Sequence, residues 1–151
     1  MRKFFKSLLL MALLCVPWVM QAQSDTLTVA DGSESNSYVP FYGYWMDASQ
    51  HNQVIYPASM IANISGDSIT GIGFYMASTN SSPWNSTVTI SLGITGDASL
   101  TALNTSADLV QVWQGTVNGQ GNFWINFDQA FPYPGGNLLL DIQTSAGSFR
   151  I

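Results

Sequence analysis

After residue 22 this 151-residue chain has no cysteine; its one thiol, Cys15, sits in an apolar stretch near the N-terminus. Disulfide staples and thiolate metal sites are thereby excluded for the body of the protein, whose stability has to come from a packed core. Positive charge is nearly as scarce. The basic side chains are Arg2, Lys3, Lys6 and Arg150, set against Glu34 and eight aspartates. Nucleic-acid binding needs clustered Lys and Arg to displace counterions, so that class of function is excluded. Anionic membrane surfaces are disfavoured for the same reason. A single histidine, His51, leaves little for histidine-based metal sites or acid–base chemistry.

Long hydrophobic runs are missing too. The longest, Leu8 to Met20, is shorter than the roughly 20 residues that a membrane-spanning helix needs. Arg2, Lys3 and Lys6 precede it and Ala22 follows it, the pattern of a secretory signal cleaved before Gln23. Leu14, where a lipoprotein signal would carry a small residue, argues against acylation of Cys15. Without residues 1–22 one basic side chain faces nine carboxylates, a net charge of −8. Residues 23–151 amount to one domain, large enough to bury a core.

What is present is β-forming. Short apolar or alternating runs recur between Gly, Asn, Asp, Ser and Pro, with no helical periodicity of useful length. The cleanest is 86–94, where Val88, Ile90, Leu92 and Ile94 share one face and Thr87, Thr89 and Ser91 the other. Further strands are expected at 26–30, 38–46, 53–57, 69–77, 109–117, 122–128 and 137–142. About eight short strands predict an all-β fold, a two-sheet antiparallel sandwich of jelly-roll type. The chain stops soon after a strong strand, which suggests the N-terminal part of a longer polypeptide.

The most aromatic stretch, "NSYVPFYGYWMDASQHNQVIYPASM" (36–60), reads as packing at a sandwich edge, because Pro40 removes a ladder donor and aromatics dominate core burial. His51 lies in the polar run "DASQHNQ" without an orienting acid or nucleophile at a recognisable spacing, and reads as a solvated loop residue. None of the aspartates is expected in a buried apolar setting, so a carboxylate pair for glycoside cleavage is a weak hypothesis. No catalytic residue is assigned. "DGSES" (31–35) offers oxygen ligands but lacks the ordered spacing of a calcium loop, and reads as a turn; no cofactor or metal is expected.

One arrangement suggests binding. If Asn118–Gly121 closes a hairpin with Val117 opposite Asn122, then Trp113 pairs with Asn126, Gly115 with Trp124 and Gln111 with Asp128. Trp113 and Trp124 would then share a face with Gln111, Asn126 and Asp128, while Val112 and Phe127 face the core. Flat indoles cover the apolar faces of sugars, and amides and carboxylates bond hydroxyls. The competing reading is a face packed beneath another strand or domain.

At "YVPFYGYW…IYPASMI", "SPWNSTVTISLGIT", "VWQGTV" and "INFDQAFPYPGGNLLLDI" the chain resembles the N-terminal β-sandwich module of large secreted surface proteins of Bacteroidetes, distant relatives of the gingipain cleaved-adhesin modules. The resemblance implies a jelly-roll-like fold, a secreted or outer-surface location and further domains in the same polypeptide. It carries no catalytic residues. "DTL" (25–27) and "DSI" (67–69) resemble the short O-glycosylation signal of that group, although ordinary turn sequence explains both.

The expectation is a non-catalytic extracellular binding or adhesion module. Its partners would be a polysaccharide or a host or surface glycoprotein. The alternatives are a structural spacer beside a functional domain and a fragment of a hydrolase.

Overall fold

Alternation of apolar and polar residues resolves into six strands: Gln50–Tyr56 (β1), Ser68–Phe74 (β2), Ser86–Thr95 (β3), Val110–Val117 (β4), Phe123–Pro132 (β5) and Asn137–Thr144 (β6). The computed structural model describes residues 25–29, 40, 49–75, 86–117 and 122–145. The leader, the 31–35 loop and nearly all of the expected 38–46 strand lie outside these residues. Residues 25–29, part of another expected strand, form none, so the expected eight strands become six among the described residues. A single 3₁₀ turn, Ala62–Ile64, is the one helical element among them.

The strands form two antiparallel sheets, one of four in the order β1-β6-β3-β4 and one of two, β2-β5. Leu138, Leu140 and Ile142 of β6 and Val88, Ile90 and Leu92 of β3 supply the inner face of the larger sheet. They meet Ile125 and Phe131 of β5, with Ile72, Phe74, Phe123 and Phe127 packed around them. The result is an all-β two-sheet sandwich. Its core is apolar because the strand period of two sends every second residue inward.

Departures from that period matter here. In β4 the register against β3 slips between Ile90 and Ser91, which face Trp113 and Gln111, so Val112 is an inserted residue. Such a bulge reverses the parity of everything beyond it. Val112 is buried and Trp113 still points inward, its indole lying across Gly115 and against the core.

β5 carries a larger irregularity. Ile69 pairs with Phe131 and Gly71 with Asn126, so residues 127–130 stand opposite Thr70 alone. Released from that ladder, this segment reaches the edge of β4 that pairs with no other strand among the described residues. Gln129 Nε2 donates to Gln111 O at 2.7 Å, and Gln114 N donates to Asp128 Oδ2 at 3.4 Å. Side chains therefore bond backbone groups along an edge of the larger sheet.

The expected hairpin between 109–117 and 122–128 is not formed. β4 pairs with β3 and β5 with β2, so the connection at 118–121 passes from one sheet to the other. Trp113 faces Ile90, Trp124 faces Gly73, and Gly115 faces Val88.

The turn into β6 uses Gly135 and Gly136 at φ of 102° and 94°, a region that L side chains rarely enter. Tyr133 locks it. Its buried hydroxyl donates to Gly136 O at 2.6 Å, while its backbone exchanges bonds with Asp67 and Gly66. Burial raises the Tyr133 phenol above its usual value, and that of Tyr56 likewise.

Candidate functional site

Each sheet turns a second face away from the core, and the two outer faces differ in kind. On the smaller sheet, strand alternation places Trp124 and Asn126 of β5 outward, opposite Gly73 and Gly71 of β2. Trp124 is 51 % exposed. Its indole lies along β2: a β-carbon on Gly71 would stand 2.7 Å from Nε1, and one on Gly73 2.6 Å from Cε3. The two glycines thus form a shallow bed for the ring and leave its other side to solvent. Asn126 is exposed beside it.

The five residues expected to share one ligand face are divided by the fold. Trp113 belongs to the core side of the larger sheet. Gln111 and Asp128 are exposed, but the carbonyl of one and the carboxylate of the other engage the β4–β5 seam. Trp124 and Asn126 remain together on an open face. Gly71 and Gly73 were passed over in the sequence, yet "TGIGF" carries the signal: glycines at alternate strand positions mark a close approach of another group.

The outer face of the larger sheet holds a different constellation. Asp141, midway along β6, is 1 % exposed. Its Oδ2 lies 2.6 Å from His51 Nε2 and accepts from Gln53 Nε2 at 2.7 Å, while Oδ1 accepts from Gln143 Nε2 at 3.2 Å. Two expectations are corrected here. His51 is part of β1, not of a loop, and one aspartate does sit buried in an apolar strand. The physical reason is long-range pairing, since His51 faces Gln143 and Gln53 faces Asp141 across the β1–β6 ladder.

Buried carboxylates need partners that replace water, and His51 is the one side chain among the described residues able to bring a positive charge. With the imidazole protonated, or neutral with its hydrogen on Nε2, Oδ2 accepts that bond as well. The network extends outward into the 96–109 connection. Gln53 gives Nε2 to Asn104 O at 3.1 Å and takes Asn104 N on Oε1 at 2.6 Å. Asn104 Nδ2 in turn bonds Asp97 Oδ2 at 2.7 Å and Thr95 Oγ1 at 3.2 Å. Gly93 admits this connection closely, because a β-carbon there would lie 2.8 Å from Asp108 O.

An acid that orients a histidine is half of a nucleophile-activating arrangement. Among the described residues His51 bonds Asp141 and no hydroxyl, and the other Asp141 partners are amides. The cluster fastens a loop to a sheet. Among the described residues no three His, Cys, Asp or Glu side chains converge as metal ligands would. None of the described helices is long and apolar enough to cross a membrane.

Comparison with family models, curated proteins and solved structures finds no match to this chain.

Proposed function

We propose that the chain is a non-catalytic binding module of a secreted or surface-exposed protein, with the outer face of the β2–β5 sheet as its ligand face. The observation that carries this reading is the placement of Trp124. A large aromatic ring, of the kind that dominates recognition energetics, is half-exposed on a glycine bed instead of packed inward. Such rings anchor ligands through flat contact and lose little conformational entropy in doing so. The N-terminal signal pattern and the resemblance to surface-protein modules support an extracellular setting.

The role left for His51 and Asp141 is structural, which agrees with a binding module more simply than with a hydrolase. The test is capture on a panel of glycans and extracellular glycoproteins by the secreted chain and by Trp124→Ala. Retention that depends on Trp124 is the expected result. Equal retention of both proteins, or turnover of a panel substrate, would sink the proposal.

A further inference from the structure

The ligand face carries a second ring. Continued one residue past β2, the alternation that turns Gly71 and Gly73 outward places Tyr75 on the same side, where it is 67 % exposed. Gly73 faces Trp124 and Phe74 faces Phe123, so Tyr75 stands one step further along and diagonal to the indole. Diagonal cross-strand neighbours lie about 7–8 Å apart, within reach of one another's rings. Gly73, two residues before Tyr75, lies beneath the indole, so no outward β2 side chain stands between the two rings. The outcome is a strip with aromatic surface at two points and the Asn126 amide alongside.

Charge narrows the ligand. The described residues contain no Lys or Arg, and the whole chain has a net charge of −5. An anionic polymer would meet a protein of net negative charge, with no Lys or Arg among the described residues to pair its own charges. An uncharged sugar chain meets two flat apolar surfaces and an amide able to both donate and accept. Resting on the binding-module reading, we infer that Trp124 and Tyr75 form a two-ring platform for an extended neutral polysaccharide, each ring covering the apolar face of a sugar. Gly71 and Gly73 are the positioning residues, because their missing side chains let the indole lie flat.

The experiment is affinity electrophoresis and calorimetry of the secreted chain. Hydroxyethylcellulose, mixed-linkage β-glucan and galactomannan serve as neutral probes, polygalacturonate and alginate as anionic ones. Binding to at least one neutral polymer is expected, little changed by salt, with the anionic polymers ignored. Trp124→Ala and Tyr75→Ala should each weaken it ~10-fold or more, equivalent to ~1.4 kcal/mol. Tyr75→Phe should retain it. Gly73→Ala, which keeps the indole but lifts it from its bed, should weaken binding as Trp124→Ala does, with melting curves showing that each variant is folded. Hydroxyl-radical footprinting with peptide mapping should modify Trp124 in the free chain and spare it when the neutral polymer is bound.

Several results would overturn the inference: binding to anionic polymers alone, neutral binding that survives both aromatic substitutions, or a Trp124 protected in the free chain. Capture of a glycoprotein through Trp124 without any neutral polymer would also overturn it, and would leave the binding-module reading standing. Loss of all Trp124-dependent capture would remove both.

Discussion

The outer faces of the two sheets solve opposite problems with the same strand geometry. On the four-stranded sheet the outward residues of β6 and β3, Leu139, Asp141, Ser91 and Gly93, are buried, and Gln53 and Gly93 hold the 96–109 connection against the face. On the two-stranded sheet an indole spreads over two glycines and remains half-exposed. Where polar groups are taken from water, every one needs a partner, and the face becomes rigid and committed. Where a ring lies on bare backbone, no polar debt is incurred and the surface stays available. The first face is built for stability, and the second is proposed for contact.

That contrast can be broken by substitution. Asp141→Ala should cause the largest loss, about 3 kcal/mol, because Gln53 and Gln143 lose a buried acceptor and the hold on Asn104 weakens. Chemical denaturation measures it, and a loss below about 1 kcal/mol would mean that the network contributes little. Next comes Trp113→Ala, expected to cost about 2–3 kcal/mol because its indole packs on the core.

The alkaline limb sharpens the picture of the core itself. Below the usual tyrosine value of about 10, folded and unfolded chains are both protonated. Above it the unfolded chain releases its phenolic protons first, since burial raises Tyr133 and Tyr56 in the folded state. The unfolded state then binds fewer protons, so stability falls as pH rises. Tyr133→Phe should flatten that fall while costing about 1 kcal/mol at neutral pH through the lost bond to Gly136. Melting curves from pH 8 to 11 test both. The smallest effect belongs to the open face: Trp124→Ala should shift stability by less than about 1 kcal/mol, and a larger loss would make that ring a structural cover for the glycines.

Much of the fold was legible locally. The alternation of 86–94 gave β3 and its inward residues correctly, and the apolar run "NLLLDI" located the buried strand β6, whose central place comes from pairing. Pairing was not legible, because the Asn118–Gly121 stretch has the composition of a hairpin turn whether the chain doubles back or crosses to the other sheet. Parity failed at Trp113 for a related reason: one inserted residue at Val112 reverses the faces, and nothing in "VQVWQGTV" announces it. His51 looked solvated because its partner lies 90 residues away. Trp124 was legible as an outward residue, since its own strand keeps a regular period up to Phe127. The glycines of "TGIGF" signal a close approach, but not that Trp124 is the group approaching, because only the tertiary pairing brings the two strands together.

The Gln53 carboxamide meets Asn104 through the N–H and C=O of its main chain, groups that nearly every amino acid possesses. A mooring of this kind does not read side chains. The exposed turn just before it, residues 101–103, can therefore drift in sequence while the rope stays tied at 104. For an engineer, that makes the loop a place to carry foreign peptides on the side of the molecule opposite Trp124. For evolution, it is a stretch where variation costs the sandwich little.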